Sequence, residues 1–241
     1  MKKRIALVLF LVVLSALLFQ FKWKNTDDDF VFYVVNPHKE TVAMYFKNDE
    51  GTNFGSIASL KLWLDKNKKE LLFAMNGGMY QKDKSPQGLY IEKTKTITSI
   101  DTTNGEGNFY LKPNGIFLLN IKNTASILKT SDFKGNDGSI KYATQSGPML
   151  VIDGKIHEKF NPKSTNLNIR NGVGILPNGD ILFAMSKKEI NFYEFAEFFK
   201  TKGCKNALYL DGFVSRTYCP KQKWMQTDGD FGVMIGVISK K

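Results

Sequence analysis

Histidine and cysteine are scarce in this 241-residue chain: His38, His157, Cys204 and Cys219 are its whole supply. Two isolated histidines leave no partner set for a serine–histidine triad. Two cysteines without clustered histidines make no structural zinc site. No phosphate-binding P-loop, GxGxxG, GxSxG or HExxH occurs. Low-complexity tracts are missing as well, so disorder is confined to the ends. What remains for chemistry is carboxylate, supported by amides, hydroxyls and arginine. No cofactor is expected, and the residues leave a metal requirement open.

The formal charge of +11 invites a nucleic-acid reading. Met1–Lys24, however, holds Lys2, Lys3, Arg4, Lys22 and Lys24 with no acid, which leaves +6 for the rest. The remaining lysines are scattered or sit in small groups such as Lys66, Lys68 and Lys69. That is a solvated surface, compatible with anionic sugars, phosphates or envelope polymers, and no nucleic-acid partner is expected.

Met1-Lys2-Lys3-Arg4 is a basic start, and Ile5 to Phe19 is an unbroken run of apolar or small residues. A comfortable membrane span needs about 20 such residues, so the run suits an export signal. No small-x-small site follows Ser15-Ala16, which leaves a cleaved peptide and an uncleaved anchor both open. The expected organisation is residues 1–24 as signal peptide or signal anchor and residues 25–241 as one domain outside the cytoplasm, in the periplasm or at the cell surface. Membrane contact would run through the N-terminal segment if it is uncleaved. In that compartment Cys204 and Cys219 are a disulfide candidate, bracketing Leu210-Asp211-Gly212. Closing such a loop would stabilise by about 3 kcal/mol in the chain-entropy model.

Val31–Val35, Thr41–Phe46, Leu71–Met75, Gly88–Glu92, Gly115–Asn120, Pro148–Ile152, Ile181–Met185, Asn206–Leu210 and Gly232–Ser239 read as strands. Asp153-Gly154 reads as a hairpin turn into Lys155-Ile156. Ile57, Leu60, Trp63 and Leu64 at helical spacing predict an amphipathic helix over 56–69. A second helix starts at Asn191, with Glu194 completing a capping-box pair, and ends before Gly203. Strand, helix, strand across 181–210 implies a parallel crossover. The expected fold is α+β: a single domain with a mixed β-sheet core and few helices, preceded by an N-terminal apolar helix.

Four segments could carry chemistry. Asn76-Gly77-Gly78-Met79-Tyr80 and Asp211-Gly212-Phe213-Val214-Ser215-Arg216 each leave a buried strand directly, where backbone amides and short side chains meet ligands on a rigid support. Ala143 to Met149 enters a strand through Thr144, Gln145, Ser146 and Gly147. Arg170 precedes a glycine-rich strand, and its planar fork suits phosphate or carboxylate. Glycoside cleavage generally calls on a pair of carboxyl groups. The candidates near these loops are Asp211, Glu92, Asp83 and Asp101, with Asp211 leading from its strand-end position.

Taken in order, these segments resemble the phosphodiester glycosidase family, whose mammalian member removes N-acetylglucosamine from mannose 6-phosphate tags. The compact bacterial exported members are nearest in character. The residues carrying the resemblance are Asn76 to Tyr80, Pro86 to Glu92, Leu111 to Phe117, Gln145 to Val151, Asp153 to Ile156, Arg170 to Gly174 and Ala207 to Gly212. The resemblance implies cleavage of a sugar-1-phosphate diester on an envelope glycan or glycoconjugate. Asp211 is then the leading acid/base or nucleophile, with Arg170 toward the phosphate and Glu92 a further catalytic candidate. Asn76, Gly77, Gly78, Asn114, Ser146, Gly147, Gly212 and Ser215 are the substrate-binding candidates. Phe213-Val214 stand where family members often carry Gly-Gly, so the mammalian sugar specificity does not transfer. The alternative is a non-catalytic envelope protein that binds glycan or anionic polymer.

Overall fold

The computed structural model describes residues 26–211 and 214–239. The expected N-terminal apolar helix, Gly212 and Phe213 lie outside the described residues. In chain order the elements are β1 (Phe30–Val35), β2 (Thr41–Tyr45), α1 (Ile57–Lys66), β3 (Leu71–Asn76), β4 (Tyr90–Glu92), β5 (Lys95–Thr98), β6 (Gly115–Asn120), β7 (Ala125–Lys129) and β8 (Ile140–Ser146). They continue as β9 (Met149–Ile152), β10 (Lys155–Ile156), β11 (Asn171–Ile175), β12 (Ile181–Ser186), α2 (Phe192–Thr201), β13 (Asn206–Tyr209), β14 (Thr217–Cys219), β15 (Trp224–Met225) and β16 (Met234–Ile238).

These strands form three sheets rather than one. The first runs β1-β12-β11-β13-β9-β10, the second β15-β14-β3-β16-β2 and the third β5-β4-β8-β6-β7. β12 and β13 are each antiparallel to β11 and so run in the same direction, as the strand–helix–strand reading expects, with β11 between them. Hydrogen-bonded neighbours are antiparallel throughout the described ladders, so the expected parallel pairing does not occur between adjacent strands there.

The first sheet is buried on both faces, which is why Ile181–Ser186 is buried at every position and reads as an apolar run rather than an alternation. Leu182 and Ala184 pack with Phe195 and Phe199 of α2. Phe183 faces the opposite way, 5.5 Å from the ring of Phe73 in the second sheet and 5.9 Å from that of Phe117 in the third. One ring from each sheet thus meets at the centre of the molecule.

Local chemistry fixes both helices. Ser56 caps α1 by accepting from Ser59 N at 3.2 Å. Asn191 caps α2 by accepting from Glu194 N at 2.9 Å, and Glu194 Oε2 accepts from Asn191 N at 3.2 Å, closing the predicted capping box. Gly203 takes the left-handed φ of +86° just past the helix end. Asp153 and Gly154 both have positive φ, as a tight hairpin turn requires.

The expected disulfide is corrected: Cys204 and Cys219 are both free, buried thiols. Cys204 packs in the layer between the first sheet and α2, whereas Cys219 ends β14 in the second sheet and belongs to the central cluster. The first sheet stands between them, so nearness in sequence to residue 211 does not become nearness in space. Burial pushes the Cys204 thiol up to about 12 and raises that of Cys219 as well. A reductant should leave the melting temperature unchanged, and both thiols should react with a thiol reagent only after denaturation. A melting temperature that falls on reduction would restore the bond.

Candidate active site

β13 ends at Tyr209, and the following residues carry the chain out of the first sheet and into β14 of the second. There Thr217 pairs with Met75 of β3. This crossing brings the end of β13 against Asn76, the last residue of β3. Asn76 is fully buried. Its Nδ2 donates to the Asp211 carbonyl at 3.1 Å, and its Oδ1 accepts from Arg216 N at 3.0 Å. From β11, Asn171 donates through Nδ2 to Asn76 Oδ1 at 2.8 Å and to the Asn76 carbonyl at 3.1 Å. Asn171 Oδ1 in turn accepts from Asp211 N at 2.8 Å. The backbone of Asp211 is therefore held at its N–H by one asparagine and at its C=O by another, from strands of different sheets.

Two serines complete the arrangement. Ser146, at the end of β8 in the third sheet, donates to the Leu210 carbonyl at 2.6 Å. Ser215 donates to the Asp211 carbonyl at 2.9 Å. All three sheets thus send a polar side chain to residues 210 and 211. Of the expected site residues, Asn76, Ser146, Asp211 and Ser215 come together here. The hydrogen bonds of Asn76, Ser146 and Ser215 run to neighbouring protein groups, so these side chains shape the site from behind.

Gly77 and Gly78 follow β3 under tight packing. A Cβ on Gly77 would stand 2.8 Å from the Ile235 side chain, and one on Gly78 would stand 2.5 Å from Thr144 Oγ1. Gly147 packs on Asn114: its Cβ would lie 2.7 Å from the Asn114 Cβ and 2.7 Å from the Phe109 carbonyl. Asn114 is buried and donates to that same carbonyl at 3.0 Å. It also lines a cavity of about 360 Å³ with Thr102, Lys112, Pro113, Lys129, Thr130 and Ser131.

Arg170 is fully buried rather than presented to a cleft. Its Nε donates to the Ile190 carbonyl at 2.8 Å and its Nη2 to the Asn166 carbonyl at 2.8 Å. The guanidinium lies 3.7 Å over the Phe192 ring and 5.6 Å from that of Tyr209. Burial pulls its pKa down, with Tyr209 acting the other way. Nη1 is buried without a hydrogen bond of good geometry.

Glu92 lies apart from this cluster. It pairs with Tyr142 on β8, four residues from Ser146, roughly 13 Å along a strand. Its Oε2 accepts from Tyr90 Oη at 2.7 Å, and it lines a separate small cavity with Tyr45, Lys47, Lys93 and Tyr142. Burial raises its pKa. Asp83 holds Ser85, and Asp101 holds Thr103 and Tyr110. Two residues without an assigned role in the sequence interact with Asp211 in the candidate site. Asn171 is one. Tyr80 is the other: its phenol is raised first by burial, opposed by Lys84, and raised further by Asp211 and Asp230. Beside them Asp230 pairs with Lys84 at 2.6 Å and Asp228 with Arg216 at 2.8 Å.

Residues 69–235 match the sequence profile of the phosphodiester glycosidases, and the chain belongs to that family. It is 37% identical over 187 residues to the uncharacterized protein YigE of Escherichia coli, covering 77% of this chain and 72% of that one. Among solved structures, the catalytic domain of zebrafish N-acetylglucosamine-1-phosphodiester alpha-N-acetylglucosaminidase, auto-inhibited by its pro-peptide, matches with a TM-score of 0.61. The match has 14% identity over 88% of this chain and 83% of that one. A hypothetical protein from Synechocystis matches with a TM-score of 0.54 and 12% identity over 88% of this chain and 59% of that one. At these identities the likeness is one of fold.

Asn171→Ala should cost about 2–4 kcal/mol, because it removes three buried contacts and leaves Asp211 N unsatisfied. For a domain of this size that is a fall in melting temperature of roughly 5–15 °C. Asn76→Ala and Asn171→Ala together should cost less than their sum by about 1 kcal/mol or more in a double-mutant cycle. Strict additivity would show that the two asparagines do not act as one unit.

Proposed function

We propose that this protein is a hydrolase that cleaves a sugar-1-phosphate phosphodiester on an envelope glycan or glycoconjugate, exported or tethered by its N-terminal segment. Membership of the phosphodiester glycosidase family supports the reaction class. The observation that carries the residue assignment is the two-sided hold on Asp211 by Asn76 and Asn171. A carboxylate whose backbone cannot shift is pre-aimed, and such positioning is what a general base or nucleophile requires.

In this scheme Asp211 takes a proton from water as the oxygen bonds to the anomeric carbon, or attacks that carbon itself to form a glycosyl ester that water then cleaves to free sugar and carboxylate. The sugar–phosphate oxygen bond breaks and the phosphomonoester leaves as an anion. An anionic phosphate is a good leaving group, so the reaction needs no strong general acid. That removes the requirement for a second carboxyl group at the distance seen in ordinary glycosidases. Arg216, held by its backbone on Asn76 and with a side chain 38% exposed, is better placed than Arg170 to meet a phosphate arriving from solvent.

The non-catalytic reading, a binder of glycan or anionic polymer, draws on Phe213-Val214 following Asp211-Gly212 where the family resemblance implies paired glycine. A sugar-1-phosphate aryl diester, assayed with and without chelator, separates the two. Wild type should release the aryl phosphate, and Asp211→Asn at an unchanged melting temperature should lower kcat roughly 100- to 10,000-fold. Undiminished turnover in Asp211→Asn rejects the assignment of Asp211. Binding of such diesters by wild type without any product favours the binder.

A further inference from the structure

The cavity over Asn114 differs in character from the others described here. Cavities elsewhere on the molecule include carboxylates in their linings: Asp29, Glu194 and Glu197 in one, Asp65 and Glu70 in another, Asp49 and Glu92 in a third. The lining of this one has two lysines, Lys112 and Lys129, the hydroxyl residues Thr102, Thr130 and Ser131, and the Asn114 amide, with Pro113 and no acid. At about 360 Å³ it falls within the range of small-ligand sites, roughly 300–1,000 Å³.

Two acids stand just behind the lining. Asp101 accepts from Thr103 N and Oγ1 and from Tyr110 Oη, and Asp132 accepts from Ser131 Oγ at 3.0 Å. Lys112 Nζ donates to the Thr102 carbonyl at 3.2 Å and to Asn104 Oδ1 at 2.7 Å. Both are neutral acceptors, so the ammonium is fixed in place, where its charge also acts on the Asp101 carboxylate.

The cavity is also tied to the candidate active site. Asn114 packs against Gly147, directly after Ser146, and Thr130 N donates to the Asn114 carbonyl at 3.0 Å. Gln145, directly before Ser146, donates to Thr130 Oγ1 at 3.4 Å. The same short stretch of β8 therefore supports the wall of this cavity and the hold on residue 210.

We propose that the cavity is an anion subsite, which takes a second phosphate of a substrate bearing more than one. Polymeric or repeating sugar phosphates, rather than a lone diester, are then the substrate class. That last step rests on the hydrolase reading; the anion site itself stands on the lining. Lysines at fixed separation would register the chain on the protein while Asp211 acts at a neighbouring linkage.

The probe is sodium tripolyphosphate, titrated calorimetrically into the full chain and into Lys112→Gln/Lys129→Gln at 50 and 200 mM NaCl. Wild type should bind, more weakly at the higher salt, and the double variant should bind at least tenfold more weakly. The charge reversal Lys129→Glu, at an edge strand, should reproduce the loss if the double variant does not fold. Equal affinity in wild type and a folded variant, or no binding by wild type, overturns the subsite. If lysine-dependent binding occurs but no aryl diester is hydrolysed, the diester chemistry fails and the anion site stands. If the diester is hydrolysed and tripolyphosphate binding ignores the lysines, the subsite fails and the chemistry stands.

Discussion

The structure turns on how the chain passes from the first sheet to the second after Leu210. A strand end exposes backbone groups that no ladder neighbour satisfies, and buried groups left in that state are costly. Here the N–H and C=O of Asp211 meet side chains from β11 and β3, the Leu210 carbonyl meets a hydroxyl from β8, and Leu210 N donates to the Asn171 carbonyl at 3.1 Å. The same bonds that complete the backbone's hydrogen bonding also set where the carboxylate begins. Stability and positioning are one requirement at this point, so the residues concerned are asparagine and serine, which can bond to backbone without carrying charge.

Arg170 illustrates a different solution to burial. A guanidinium enclosed by protein needs hydrogen bonds, a polarisable surface, or both. It has two carbonyls and the face of Phe192. That ring in turn stacks on Phe160 at 5.0 Å, and Phe160 on His157 at 4.7 Å. The faces of these rings are covered by one another and by the guanidinium, so the column is a brace and not a platform for a sugar. Through Ile190 and Asn166 the arginine fastens the start of α2 and the loop before β11 onto the first sheet. Its neighbour Asn171 points the other way, as alternation along a strand demands, and reaches Asn76 and Asp211.

Much of the secondary structure was legible because its signals are local. The Ser56 cap, the Asn191–Glu194 box and the Asp153-Gly154 turn need only neighbouring residues to be recognised. The end of α1 was read three residues late: Asn67 Nδ2 turns back to the Trp63 carbonyl at 2.8 Å and Lys68 takes a left-handed φ of 54°, closing the helix at Lys66. Strands such as β5 and β15 left little trace, since Lys95–Thr98 is almost wholly exposed and Trp224–Met225 is two residues long. The division into three sheets was not legible, because pairing partners far apart in the chain decide it. The meeting of Asn76, Ser146 and Asp211 could be anticipated from strand ends leading into small polar residues. Asn171 could not, since an asparagine among glycines has no chemical signature until its partner is known. Glu92 was drawn in by the motif around it, but the register of β4 on β8 sends it toward Tyr142 and away from Ser146.

Fixed points on both sides of a short stretch have a consequence for diversification. Asp211 is anchored by two asparagines, and a few residues later Ser215 and Arg216 are anchored again, on the Asp211 carbonyl and Asn76 Oδ1. In the sequence, positions 212–214 lie between these two moorings. None of these bonds uses a side chain from 212–214, so substitution there leaves the backbone of Asp211 with its partners.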